Sequence, residues 1–147
     1  MTISLQPVTA GNWLGCIALR VSESQSHMVA SNVYSLAEAW VFPQCIPLAI
    51  YDDDTLIGFL MYGCEREYGT WWISRFMIDE RYQGSGYGRR ALAELIEQFK
   101  REPECKVITI SLVPENTAAR SLYQKAGFAE TGERIAGEDV LSLVVSA

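Results

Sequence analysis

The chain has one histidine, His27, and four cysteines, Cys16, Cys45, Cys64 and Cys105, scattered without a CxxC pair. Zinc sites draw several such ligands from short spacings, so no metal centre is expected and the thiols read as buried free cysteines. The N-terminal segment lacks a basic stretch leading into an apolar run, and no stretch approaches the roughly 18 apolar residues of a membrane span. A cytoplasmic protein is expected. Bases are in deficit: 12 Lys and Arg against 18 Asp and Glu give a net charge of −6. That balance opposes broad binding to nucleic acid or to anionic membranes and suits a cationic small molecule. Repeats, low-complexity tracts and linkers are missing too, so residues 1–147 read as one domain. What the chain does have is 49% hydrophobic residues, enough for one sizeable core.

Hydrophobic periodicity predicts alternating elements. Residues 3–8 read as a strand, and residues 12–21 and 31–40 as helices, the second capped by Ser31 or Asn32. Pro43 and Pro47 close that region. Residues 48–51 and 56–62 form a predicted hairpin because Asp52, Asp53 and Asp54 supply turn chemistry between two β-rich runs. Residues 71–78 read as the next strand. From 86 to 101 the period becomes helical, with Leu92, Leu95, Ile96 and Phe99 on one face. Residues 107–112 read as a buried strand, 116–126 as a helix ended by Gly127, and 128–133 and 140–145 as closing strands. Short links imply antiparallel pairs and helical crossovers imply parallel ones, so an α/β fold with a mixed sheet follows.

The chemistry begins at Gln83-Gly84-Ser85-Gly86-Tyr87-Gly88, three alternating glycines between a strand and a helix. Such a loop exposes backbone N–H groups at the positive end of a helix dipole, which makes an anion site. Arg89 and Arg90 follow in the first turn, where they suit a pyrophosphate; the alternative is a glycine-rich turn with two solvated arginines. A P-loop is excluded because no Gly-Lys-Ser/Thr ends the run. Gly86-x-Gly88-x-x-Ala91 fits the dinucleotide fingerprint literally, but that motif opens a large doubly wound fold, and about half of this chain precedes the loop.

A second constellation follows the buried strand: Asn116-x-x-Ala119-x-x-Leu122-Tyr123-x-x-x-Gly127-Phe128. Helical spacing puts Asn116, Arg120, Tyr123 and Gly127 on one face, expected to line a cleft, with Ala119, Leu122 and Ala126 on a neighbouring face toward the core. At this point the sequence resembles the GNAT family of N-acetyltransferases: Gln83-x-x-Gly86-x-Gly88 is similar to its pyrophosphate-binding motif and the later helix to its second cofactor motif. Element order extends the match over nearly the whole chain. The resemblance implies a central mixed, mostly antiparallel sheet flanked by helices. Within the family, Val29-Ala30-Ser31-Asn32, Ser35-Leu36-Ala37-Glu38-Ala39 and Arg75-Phe76-Met77-Ile78-Asp79 resemble bacterial spermine/spermidine acetyltransferases; amphipathic helix packing also accounts for Leu36, Ala37 and Ala39.

The resemblance implies acetyl-CoA as co-substrate and no metal, a small-molecule amine as acceptor, and association into a homodimer. Its pantetheine arm would pair with Phe76, Met77 and Ile78, and Gln83, Gly84, Ser85, Gly86, Tyr87, Gly88 and Arg89 would wrap its pyrophosphate. Met77 or Ile78 would donate an N–H to the thioester oxygen. Asn116 would bond the pantetheine arm, although a helix N-cap explains it as well. Tyr123 is the catalytic candidate: a phenol of pKa ~10 can protonate a thiolate of pKa ~8.5 with a small uphill transfer.

The acceptor nitrogen arrives charged. An alkylamine of pKa ~10.4 is only about one part in 2,500 neutral at pH 7, a cost of ~4.6 kcal/mol, so a base or water chain is needed. Some polyamine acetyltransferases carry a carboxylate in the central strand where this sequence has Ser74 and Arg75. Glu38, Glu65, Glu67 or a water relay ending on a backbone carbonyl remain as base, but a solvated surface position explains each glutamate better, so none is assigned as catalytic. Glu23 and Glu38 are the residues expected to select a polycation. The reading is direct acetyl transfer to a polyamine. Its alternatives are another amine (a peptide N-terminus, lysine or an aminoglycoside) or a noncatalytic acyl-CoA-binding module.

Overall fold

The computed structural model describes residues 2–145. Among these residues seven strands and four helices follow in order: β1 (Ile3–Pro7), α1 (Trp13–Ala18), α2 (Asn32–Val41), β2 (Cys45–Asp52), β3 (Thr55–Glu65), β4 (Thr70–Ile78), α3 (Tyr87–Lys100), β5 (Val107–Leu112), α4 (Thr117–Lys125), β6 (Ala129–Ile135) and β7 (Glu138–Val144). Short 3-10 turns occupy Glu23–Gln25 and Glu80–Tyr82. The sheet order is β1-β2-β3-β4-β5-β7-β6, and only β4 and β5 run parallel, joined by the α3 crossover.

Local chemistry explains most boundaries. Asp53 takes a left-handed φ of 51° at the β2–β3 turn, a conformation Asp tolerates better than most residues. The Ser31 side chain caps α2 by accepting from the Tyr34 amide. On α3, Ala91, Leu92, Leu95, Ile96 and Phe99 are buried on one stripe against Ile50, Leu60, Trp71, Ile108, Ile110 and Leu141 of the sheet. The opposite face holds Ala49, Phe59, Met61 and Met77 under Cys16 and Leu19, with Leu36 and Ala39 of α2 packed alongside.

One helix is shorter than its periodicity predicts. The pattern over 12–21 gives only Trp13–Ala18, because Leu19 turns extended and Arg20 is bound elsewhere. The Arg20 amide donates to Asp79 Oδ2 at 3.0 Å, and the Glu80 amide donates back to the Arg20 carbonyl. A tertiary anchor at the end of β4 thus overrides the local helical signal.

The feature that makes the site lies in β4. It pairs with β5 only from Thr70 to Ile73, opposite Val107 to Ile110. The β3 register jumps at the same place: Tyr62 faces Ile73 and Met61 faces Arg75, leaving Ser74 without an opposite residue. A bulge bends its strand and increases the local twist. Beyond it β4 runs on to Ile78 while β5 ends at Leu112, and the two strands part.

Candidate active site

The space between the parting strands is a cleft of about 610 Å³. Residues 73–78 form one wall and residues 110–113 the other. The loop after β4, one face of α4, and Val29, Ala30 and Tyr34 complete the lining. Along residues 74–78 the β5-facing edge of β4 has no strand opposite it, so its backbone groups are available to a ligand that pairs as a strand does.

At the loop, Gly84 and Gly86 have φ values of +82° and +84°. A Cβ at Gly84 would meet nothing and one at Gly86 would lie 3.6 Å from the Arg89 side chain. Glycine is therefore needed there for conformation, not for space. Gly86 is the N-cap of α3 and supplies no side-chain cap, so the first-turn amides remain directed outward, as anion binding requires. The loop is tied down at both ends. Gln83 Nε2 donates to the Ile78 carbonyl at 2.9 Å, and the Tyr87 hydroxyl donates to Asp52 Oδ2 at 2.8 Å. Beneath it Asp79, 2% exposed, accepts from the Arg20 amide and from the Arg81 amide and guanidinium. Burial opposes its charge, but those bonds outweigh it and hold the carboxyl below the usual range.

Across the cleft, Asn116 serves two functions at once. Its Oδ1 caps α4 by accepting from the Ala119 amide at 3.2 Å, leaving Nδ2 without a partner among the described residues. Tyr123 is 5% exposed, lines the cleft, and has its ring 6.2 Å from that of Phe128. No described group hydrogen-bonds its hydroxyl. Burial first, and the charge of Glu138 second, push its pKa well above the ordinary tyrosine value. The phenol therefore stays protonated at neutral pH, and the uphill gap to a thiolate is wider than the sequence implied.

A sequence model of the Acetyltransferase (GNAT) family matches residues 11–128. The chain belongs to that family. The spermine/spermidine N(1)-acetyltransferase of Bacillus subtilis strain 168 is 37% identical over 139 residues, covering 90% of this chain and 91% of that protein. The ribosomal protein bS18-alanine N-acetyltransferase of Haemophilus influenzae is 32% identical over 113 residues, covering 76% of this chain and 73% of that one. Among solved structures, the spermidine N-acetyltransferase of Vibrio cholerae with CoA and spermine superposes with a TM-score of 0.77 at 17% identity, over 97% of this chain and 95% of that one. That likeness establishes the GNAT fold, and the neighbour carries CoA.

Of the residues singled out from sequence, Phe76, Met77, Ile78, Gln83, Gly84, Gly86, Tyr87, Gly88, Asn116 and Tyr123 all line the cleft of this GNAT protein. Ser85 and Arg89 are exposed and lie outside its lining. Glu23 lies in the exposed 3-10 turn, also outside it. Glu38 is outside as well and lies 3.2 Å from the Arg75 guanidinium, which neutralises it. Glu65 faces Thr70 at the far end of β4, and Glu67 is in the exposed turn beyond it. The helix-face expectation also needs correction. Ala119, Leu122 and Ala126 do pack against the core, but Ala119 and Leu122 line the cleft as well, whereas Gly127 is outside its lining and Arg120 turns away to bind Glu130 and, at 2.6 Å, Asp139. Sequence reading missed Glu138, which enters the lining from the first position of β7. Its only sequence signal is a place just after the Ala136-Gly137 turn.

Proposed function

We propose that this GNAT acetyltransferase moves the acetyl group of acetyl-CoA to a polyamine of the spermine or spermidine class. The observation that carries the reaction is the unpaired edge of β4 at residues 74–78, with the glycine loop at one end and Tyr123 opposite. The polyamine acceptor is supported by the Bacillus subtilis relative, which matches over nine-tenths of this chain. Acetyl-CoA, when bound, supplies the activated acyl thioester.

The chain's own groups then have distinct tasks. The amides of residues 84–88 would hold the pyrophosphate, where left-handed glycines let the backbone approach closely. The edge of β4 and Asn116 Nδ2 would hold the pantetheine arm. Met77 or Ile78 would offer an N–H to the developing oxyanion, placed in advance by the sheet. Tyr123 would give its proton to the departing sulfur. Because burial favours the neutral phenol, that proton moves only as negative charge builds on sulfur, and a proton leaving the nitrogen restores it.

A peptide N-terminus is the second reading, favoured by the 32% identity to a ribosomal-protein alanine acetyltransferase. Purified protein with acetyl-CoA and a panel of spermine, spermidine, putrescine, lysine peptides, alanine-starting peptides and an aminoglycoside decides between them by product mass. Spermine or spermidine as the fastest acceptor is expected. Preference for the alanine peptide would replace the acceptor assignment, and acetyl-CoA binding without turnover would leave a noncatalytic acyl-CoA module.

A further inference from the structure

Among the described residues that line the cleft, charges are matched at every position but one. Arg75, the one permanent cation among the described lining residues, has its Nη2 3.2 Å from Glu38. Its Nε donates to Ser35 Oγ, its Nη1 to the Ser74 carbonyl, and its guanidinium lies 5.9 Å from the Tyr34 ring centre. His27 sits 3.3 Å from Glu115 in an exposed pair. On the β7 side, Arg120 and Arg134 both bind Asp139, and Arg120 binds Glu130 as well.

Glu138 is different. It is the one carboxylate among the described lining residues, is half-buried, and makes no ion pair with any described residue. Its bond is to a neutral group: the Ser111 hydroxyl donates to Oε1 at 3.0 Å. Ser111 belongs to the β5 wall, and the antiparallel register that sets Leu112 opposite Asp139 brings the start of β7 to the end of β5, where β4 has already parted from it. A half-buried carboxylate without a counter-charge favours a cation beside it. The same charge reaches Tyr123, whose ionisation it opposes.

We propose that Glu138 seats the ammonium group of the acceptor amine and takes the proton that this nitrogen must lose before attack. The inference rests on the acetyltransferase reading above and assigns the base that sequence left open. An N–H bond of the ammonium breaks with its electron pair kept on nitrogen, and the proton forms an O–H bond on the Glu138 carboxylate, which later releases it to water. As nitrogen bonds the acyl carbon and the carbon–sulfur bond breaks, the second nitrogen proton replaces the one that Tyr123 gives to sulfur. Amide, thiol and one solvent proton result. The selected class is an amine that arrives as an ammonium cation.

Glu138→Gln tests this, because glutamine preserves the shape and can still accept from Ser111. At pH 7 its kcat/KM for the best amine of the panel should fall at least about 100-fold, with acetyl-CoA affinity by calorimetry within about threefold. The deficit should narrow as pH rises toward ~10, where free amine becomes abundant. Ser111→Ala removes the hydrogen bond and keeps the carboxylate, so it should lose less than about tenfold. A Glu138→Gln enzyme within about threefold of wild type, or a deficit that is flat with pH, overturns the inference alone. Wild-type protein that binds acetyl-CoA and acetylates no amine overturns the acetyltransferase reading and this inference together.

Discussion

Replacing Tyr123 by Phe separates chemistry from packing more cleanly than any other single change in this cleft. The ring packs beside Phe128 and is nine-tenths buried, so its apolar contacts survive the substitution. The hydroxyl has no described hydrogen-bond partner to orphan. Removing it should therefore change stability by less than about 1 kcal/mol, and could even raise it. The rate is another matter. A positioned acid contributes about 10²- to 10⁴-fold, or roughly 2.7 to 5.4 kcal/mol of barrier, so kcat should drop by at least about 100-fold. KM for acetyl-CoA should stay within about threefold, since the loop and the β4 edge are untouched. The assay is product mass under saturating acetyl-CoA, which avoids confusion with the protein's own thiols, accompanied by a thermal melt. A Tyr123→Phe enzyme with wild-type kcat and an unchanged melt would refute the acid role, whereas a lowered melt with proportionate activity loss would mean the hydroxyl is structural.

The loop gives a graded pair of variants. Gly86→Ala should weaken acetyl-CoA binding about five- to thirtyfold, because the left-handed φ costs about 1–2 kcal/mol. Gly86→Asp adds negative charge at the amide cradle and should abolish measurable binding by calorimetry; equal effects of the two would remove the anion from the argument. Asp79→Asn should destabilise the fold by about 1–3 kcal/mol in urea titrations at pH 7, since three N–H groups converge on that buried carboxylate. The folded pKa lies below the unfolded ~3.9, so the stabilisation is complete above that value and fades as pH falls through it toward the lower folded pKa. The gap between wild type and Asp79→Asn should close in that acid window, and a gap constant with pH would contradict the charge argument. Ser31→Ala should cost about 1 kcal/mol through the α2 cap, read from the same titrations.

Elements whose signal is local were readable from sequence. The stripe of Ala91, Leu92, Leu95, Ile96 and Phe99 is buried as its spacing demands, and β5 falls on the predicted residues 107–112. Gly84 and Gly86 were readable because left-handed backbone has few alternatives to glycine. Residues whose role comes from long-range register were not. Glu138 meets Ser111 only because β7 returns antiparallel beside β5, and nothing within ten residues of Glu138 encodes that. Glu38 looked like a free carboxylate because its partner, Arg75, lies across the fold on β4. The helix predicted through Val21 failed for the same reason, since Asp79 captures the Arg20 amide from far along the chain.

The bulge at Ser74 accounts for one wall of the cleft. A parallel pair buried between helices would ordinarily run its full length, satisfying every backbone group. Here the unmatched residue bends β4 just where pairing with β5 ends, and Ser74 Oγ donates to the Met61 carbonyl at 3.2 Å across the irregularity. The unpaired edge this creates would be a liability on an exposed strand, inviting aggregation. Here α4, the glycine loop and β5 line the same cleft, so the edge is sheltered and its backbone groups suit a ligand that pairs as a strand does. On its opposite edge β5 pairs with β7 along all of Val107–Leu112, which delivers Glu138 to the end of β5, and α4 brings Tyr123 into the lining. The open edge of β4 therefore depends on one extra residue in one strand, while Tyr123 and Glu138 reach the cleft from α4 and β7. A serine with no distinctive local pattern thus marks where the open edge of β4 begins.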